Sequence, residues 1–315
     1  MLLSYWLRLV CLVLFSIGLI QAALALLLRL QAPAINRALA RLSARWQERA
    51  CFAFGLVSHL AAFVLAVAVV VPQYIRNEAN SLNEHVGILC ITGACLVAAR
   101  YAYGLLRVLS LIRRALAQRR PGIAISIAGL PVWLMQSEHP LLAVEGLLSP
   151  RIVASRGLLD HLPLGSNECE IALAHENAHA RHFDNLKLLA LMSLSLPFGE
   201  SQVRLWHRAA EIAADSDAVG GSRTRAILLA ETLVAIARSV PDQPSGVLAL
   251  SLLPHEADLE TRIHCLLEEK AISVPRNKQF IWLGAGLILL AAFNLLFPLL
   301  VAFSHEFAEF LLHIG

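Results

Sequence analysis

The sequence predicts an α-helical membrane protein in which four transmembrane helices accompany one α+β domain. The 315 residues are 57% hydrophobic and only 16% charged, whereas an average soluble domain is about 25% charged. Four apolar segments are long enough to cross about 30 Å of hydrocarbon, which takes about 20 helical residues. The net charge of +3 is mild and forms no basic stripe, so we expect no direct binding to nucleic acid.

The predicted spans divide the chain into four parts. Residues 1–113 hold three spans with short loops, residues 114–277 form the intervening domain, 278–303 form the fourth span and 304–315 a short tail. The first three spans cover about 4–30, 52–75 and 86–112. Arg100 and Arg107 interrupt the third, so we expect them to face the helix bundle, to pair or to reach the interface.

Basic residues are concentrated in alternate connections, which predicts the orientation. The first connection carries four arginines, the second only Arg76, and four more follow the third span. Because Lys and Arg in short loops favour the cytoplasmic side, we expect a multi-pass protein of the cytoplasmic (inner) membrane. Its domain 114–277 then faces the cytoplasm, with the N-terminus and the C-terminus outside.

Within the domain the pattern changes from strand to helix. Residues 122–154 are short apolar runs separated by Gly and Pro, which predicts a few strands with turns. Helices are predicted at 167–191, 201–218, 222–239 and 255–269. Asn167 and Glu170 are predicted to cap the first of them, and residues 195–202 are a candidate mobile lid.

The first domain helix carries the motif HENAH, residues 175–179. His175 and His179 are four residues apart and therefore share a helix face, with Glu176 beside them. Catalytic zinc takes three protein ligands and a water whose pKa falls to about 7. A neighbouring carboxylate can accept the proton of that water during attack on a peptide carbonyl. We therefore expect one Zn²⁺ per chain bound by both histidines, with Glu176 as the catalytic base.

A third ligand is predicted on the next helix, where Glu211 and Asp215 are four residues apart. Glu211 is expected to bind the metal, and Asp215 to accept a hydrogen bond from the outer nitrogen of a ligating histidine. The alternative ligand is His182, which lies near the same face as His179 and would leave Glu211 without a role. His207 shares the face of Glu211 and is predicted to stabilise an oxyanion, with simple packing as the alternative.

Two further groups are predicted to stay away from the metal. On a continuous helix Asp184 falls on the face opposite His175, so we expect it to hold another element. The six cysteines show no CxxC pair and are expected to be packed thiols. Cys169 lies off the His175 face.

Four segments together resemble the membrane-bound zinc peptidases of the BlaR/MecR sensor-transducer type. They are EGLLSPRIVASRGLLDHL, IALAHENAHARHFDNL, AEIAADSDAV and ADLETRIHCLL. The resemblance implies a zincin-like (gluzincin) peptidase domain with His175, His179 and Glu211 as zinc ligands and Glu176 as the catalytic carboxylate. It also implies cleavage of a cytoplasmic regulator, such as a transcriptional repressor, or of the chain itself.

The chain departs from that family in two ways. Only about a dozen residues follow the fourth predicted span, so we expect no penicillin-binding sensor and carry over no beta-lactam sensing. Asn177 and Ala214 replace an apolar residue and a cysteine that are usual in the two motifs, but neither position is a ligand.

Two other functions remain open. One is a non-proteolytic membrane signalling or scaffold protein with a zinc site, although such a protein has no use for Glu176. The other is an intramembrane protease of the site-2 type, although the charged side chains around the motif would be costly in hydrocarbon. The expected partners are a protein or peptide substrate, paired with a sheet edge, and the lipid bilayer; the oligomeric state stays open.

Overall fold

The computed structural model describes residues 4–77, 86–117, 122–194, 200–239 and 256–268. These residues are mostly helical, with one small mixed sheet, and they divide into two compact units. The helical unit comprises the described residues of Met1–Arg41 and Phe54–Tyr103, and the α+β unit those of Leu42–Ala53 and Gly104–Ile272. The predicted fourth span, the tail and most of the candidate lid lie outside the described residues.

The described residues before the sheet form helices with short connections. These elements are α1 (Tyr5–Leu30), α2 (Ala32–Leu39), α3 (Ala44–Leu65), a π-helical turn (Ala66–Val70), α4 (Val71–Asn77) and α5 (Ile88–Ala117). Three stretches in the described part of the chain are long and apolar enough to cross a membrane, namely Tyr5–Leu30, Ala44–Arg76 and Ile88–Arg113. They coincide with the first three predicted spans.

Proline explains the π-helical turn inside the second stretch. Pro72 is the second residue of α4, and a proline ring within a helix clashes with the carbonyl four residues earlier and donates no hydrogen bond. A wider π turn just before it relieves that clash while the helix continues. The second span is therefore one helical path with a local irregularity.

Close packing and one polar cluster join α1 to α5 in the helical unit. Gly93 on α5 lies so close to the Phe15 ring that a Cβ atom would overlap it, and small residues allow such an approach between membrane helices. Gln21 accepts a hydrogen bond from Arg100 Nη1 at 2.5 Å and donates one to Tyr101 Oη at 2.5 Å. Arg100 is thus paired inside the bundle, one of the outcomes expected from its position.

The α+β unit contains a four-stranded sheet within the predicted range. Its strands are β1 (Ile123–Ile127), β2 (Leu130–Met135), β3 (Leu142–Glu145) and β4 (Arg151–Ser155), in the order β1-β2-β4-β3. The hairpin β1–β2 turns at Ala128 and Gly129, which both have positive φ, as a two-residue type I′ turn requires. β2 and β4 are parallel, β3 and β4 are antiparallel, and β3 is an edge strand.

Six helices complete this unit. They are α6 (Arg156–Leu159), α7 (Asn167–His182), α8 (Asp184–Leu194), α9 (Glu200–Val219), α10 (Arg223–Ser239) and α11 (Glu256–Leu267). α7 packs on β3 and β4 and against α9 and α10, and its apolar face, with Ile171 and Leu173, joins the main core. This arrangement places the HENAH motif between the edge strand and α9.

Two details of the first domain helix were predicted wrongly. Its N-cap is Ser166, whose hydroxyl accepts a hydrogen bond from the Cys169 amide at 3.1 Å, and Asn167 is already helical. The helix also ends at His182, because Phe183 adopts a left-handed conformation with φ 54°. A new helix, α8, starts at Asp184.

Candidate metal centre

The HENAH motif is buried beneath the sheet edge. His175 and Glu176 are inaccessible to solvent and His179 is 1% exposed. The two histidines lie one turn apart on α7, as their spacing predicts. Burial of three such polar side chains is costly unless they bind something, so this part of α7 is the first candidate for a site.

Three side chains converge to form a group that could hold a metal ion. His175 Nε2 and His179 Nε2 are 3.1 Å apart. Glu211 from α9 brings Oε2 to 3.5 Å from His175 Nε2 and Oε1 to 3.5 Å from His179 Nε2. Among the described residues, these three are the His, Cys, Asp or Glu side chains found with one ligand atom each within 4.8 Å of one another.

A carboxylate lies behind each histidine. Asp215 Oδ1 is 2.8 Å from His175 Nδ1, and Asp184 Oδ2 forms a 2.8 Å hydrogen bond with His179 Nδ1. Carboxylates at both Nδ1 atoms favour the tautomer in which Nδ1 carries the proton. With a metal bound, both Nε2 atoms would be left as ligands on the side of Glu211, and the carboxylates fix the orientation of the rings.

Arg262 from α11 compensates the charge of the two acidic residues on α9. It donates to Asp215 through Nε at 2.8 Å and Nη2 at 2.6 Å, and its Nη1 lies 2.9 Å from Glu211 Oε2. Burial raises the pKa of both carboxyls, but Arg262 and the histidines outweigh it and leave both pKa values below their ordinary range. Glu211 and Asp215 are therefore anionic.

Glu176 differs from its acidic neighbours because no cationic side chain among the described residues forms an ion pair with it. Both of its carboxylate oxygens are buried, and the Val144 backbone on β3 is a hydrogen-bonding neighbour. Burial raises the pKa of Glu176 to about 8, against the opposing effects of His175 and Arg262. A carboxyl group with a raised pKa next to a metal group can accept and return a proton near neutral pH.

The other residues singled out from the sequence lie elsewhere. His182 Nε2 is 3.1 Å from Asp217 Oδ2 and does not join the converging group. Cys169 is 4% exposed and packs in the core cluster. His207 is half-buried one turn before Glu211 on α9, and its role in stabilising an oxyanion stays a prediction.

The face predicted for Asp184 was wrong because it assumed a continuous helix, although Asp184 is not one of the three converging side chains. The left-handed residue Phe183 ends α7, and Asp184 then lies beside His179 rather than on the opposite side. Lys187 and Arg262 also contribute to the centre and were not singled out. A charged residue on the apolar face of a predicted helix is the signal that could have identified them. Such a residue is rarely buried without a partner.

Comparison of this chain with protein-family models and with curated proteins finds no match in either.

Proposed function

We propose that the chain is a membrane-anchored, zinc-dependent endopeptidase. The proposal depends on one observation. Two imidazole nitrogens and a carboxylate meet in a buried group, and a second buried carboxylate, Glu176, lies beside His175 without an ion-pair partner among the described residues. Ligands of tetrahedral zinc at about 2.0–2.2 Å from the ion lie about 3.4 Å from each other. The separations of 3.1, 3.5 and 3.5 Å fit that geometry.

Each side chain of the proposed site has its own role in the reaction. When bound, zinc supplies Lewis-acid polarisation of a carbonyl and a water of lowered pKa. Glu176 takes a proton from the attacking water and passes it to the departing amine, first as a general base and then as a general acid. Asp184 and Asp215 hold the histidine rings in place, and Arg262 keeps Glu211 anionic and oriented.

The edge strand β3 supports the binding of an extended peptide. The Ser155 amide donates to the Leu141 carbonyl at 2.9 Å, so the backbone groups of Leu142 and Val144 point away from β4 in the antiparallel ladder. Asn185 Nδ2 already donates to the Val144 carbonyl at 2.8 Å. The outward-facing backbone groups of Leu142 are therefore candidates for main-chain pairing with a substrate.

The same observations weigh against the two alternative functions. A structural zinc site has no use for a buried carboxylate that is neither a ligand nor part of an ion pair, and Glu176 is such a group among the described residues. Neither α7 nor α9 is among the candidate spans found in the described residues, which argues against an intramembrane protease. We propose a cytoplasmic regulator or the chain itself as substrate, by the resemblance to the BlaR/MecR peptidases.

The test compares wild-type protein with Glu176→Gln and with Glu170→Gln, an exposed residue on the same helix. Each full-length protein is purified in detergent, loaded with zinc and incubated with a cell lysate, and new N-termini are identified by mass spectrometry. We expect cleavage by wild type and Glu170→Gln, and a rate about 10²–10⁴-fold lower for Glu176→Gln. Equal rates for Glu176→Gln and wild type would exclude the mechanism, and zinc-loaded wild type that cuts nothing would favour the scaffold.

A further inference from the structure

The first turns of α3 belong to the α+β unit, although this helix continues into a candidate membrane span. Residues Leu42–Ala53 group with the α+β unit, and the apolar stretch that starts at Ala44 runs to Arg76. The part of α3 that belongs to the α+β unit carries an acidic residue, Glu48, that is inaccessible to solvent.

Glu48 is held by contacts with two other helices. Its Oε1 accepts a hydrogen bond from Lys187 Nζ on α8 at 2.9 Å and another from Trp206 Nε1 on α9 at 2.9 Å. A buried carboxylate loses several kcal/mol of hydration, and these two donors offset part of that loss, together with Arg45 Nη1 at 3.7 Å from Oε2. Glu48 therefore fixes the distance between α3, α8 and α9.

Lys187 continues the chain of contacts toward the metal group. Its ammonium also donates to Asp184 Oδ1 at 2.8 Å, and the other oxygen of Asp184 is bonded to His179 Nδ1 at 2.8 Å. The path Glu48–Lys187–Asp184–His179 is therefore continuous, with a contact shorter than 3 Å at every step. Each step joins opposite charges or a hydrogen-bonded pair.

A second set of contacts ties the same turns of α3 to both helices that carry the metal group. Arg45 Nη2 lies 2.6 Å from Asp217 Oδ2 on α9, and that oxygen is 3.1 Å from His182 Nε2 at the end of α7. The start of α3 is thus fixed on both sides of the group. A shift of α3 along its axis would have to disturb these contacts.

We infer that Glu48 is a positioning residue for His179, a ligand of the proposed metal site, and that it acts through Lys187 and Asp184. The inference rests on the proposed metal site but not on peptidase activity. If the charge of Glu48 is removed, Lys187 loses one of its two anions and Asp184 is held less firmly. The His179 ring then has more freedom, and metal affinity falls.

The test measures Co²⁺ and Zn²⁺ affinity and the visible spectrum of bound Co²⁺ in the full-length protein. The variants are Glu48→Gln, Lys187→Met, the double variant, and Glu231→Gln as a control at an exposed carboxylate of α10. We expect each single variant to bind metal about 2- to 30-fold more weakly and to shift the cobalt spectrum. The double variant should lose no more metal affinity than the single variant with the larger loss, because both substitutions act along one path.

Several results separate this inference from the proposed function. Wild-type affinity and spectrum in Glu48→Gln, or losses that add fully in the double variant, would overturn the inference alone. A wild-type protein that binds neither metal would overturn the proposed function as well. If Glu48→Gln does not fold, Lys187→Met decides, because its partly exposed side chain can be replaced with little loss of packing.

Discussion

Asp184 Oδ2 lies 2.8 Å from His179 Nδ1, across a single left-handed residue that separates two helices. Phe183 pays a conformational cost of about 1–2 kcal/mol for that geometry, since it is neither Gly nor Asn. Each histidine of the candidate metal group therefore has its own carboxylate. Asp184, at the start of α8, lies behind His179, and Asp215, on α9, lies behind His175. Paired carboxylates of this kind orient ligands in metal sites.

Replacement of Asp184 by Asn tests that arrangement. We expect Asp184→Asn to bind zinc about 10- to 100-fold more weakly, because the amide keeps the shape of the side chain but removes the charge behind the His179 ring. Competition with a chromophoric chelator measures the affinity. Asp160→Asn, at an exposed aspartate of the same unit, serves as the control, and an unchanged affinity in Asp184→Asn would show that the hydrogen bond has no role in metal binding.

Arg262 is expected to stabilise the metal-free protein more strongly than the zinc-loaded protein. Arg262→Gln leaves the buried carboxylates of Glu211 and Asp215 without their cation, and breaking a buried ion pair costs about 3–5 kcal/mol. Bound zinc offsets part of the negative charge, so the loss should be smaller in the zinc-loaded protein. Chemical denaturation in detergent, with and without zinc, measures both values beside Arg181→Gln, an exposed arginine on α7. Equal losses in both forms would contradict this account of its role.

Asn185 holds the edge strand beside Glu176. Asn185→Ala removes the donor to the Val144 carbonyl, and a buried acceptor without a partner costs about 1–3 kcal/mol. We expect lower stability and a lower kcat/KM with unchanged zinc affinity, because Asn185 does not contact the metal group. Asn167→Ala, at an exposed position on α7, is the matched control. A loss of zinc affinity in Asn185→Ala would contradict the separation of these two roles.

The predicted orientation is tested by labelling in cells. A variant that keeps Cys265, exposed on α11, as its single cysteine should react with a membrane-impermeant maleimide only after the cells are broken. The control is Arg76→Cys in a cysteine-free background, an exposed position in the connection predicted to lie outside, which should react in intact cells. The reverse pattern would place the α+β unit outside the cytoplasm.

Local patterns in the sequence predicted the main elements of the centre. The four-residue spacing of His175 and His179 and of Glu211 and Asp215 determines which side chains share a helix face, and the structure brings these four together. Likewise the apolar segments predicted three of the helices that are long enough to cross a membrane. Such features depend on the period of a helix and on composition alone.

Other features depend on contacts that no local pattern shows. Phe183 carries no signal for a left-handed conformation, so the end of α7 and the position of Asp184 were not predicted. Arg262 and Asp215 are 47 residues apart in the chain, and Glu48 and Lys187 are 139 apart. Pairing of such distant charges follows from tertiary packing, which a single sequence does not reveal.

Zinc content tests the central claim most directly. Wild type, Glu211→Gln and the exposed control Glu231→Gln are purified in detergent, equilibrated with zinc, freed of loosely bound metal and analysed by mass spectrometry for metal content. We expect about one zinc per chain in wild type and in the control, and a loss of most of it in Glu211→Gln. Full zinc occupancy in Glu211→Gln would show that Glu211 is not a ligand, and no zinc in wild type would contradict the metal centre itself.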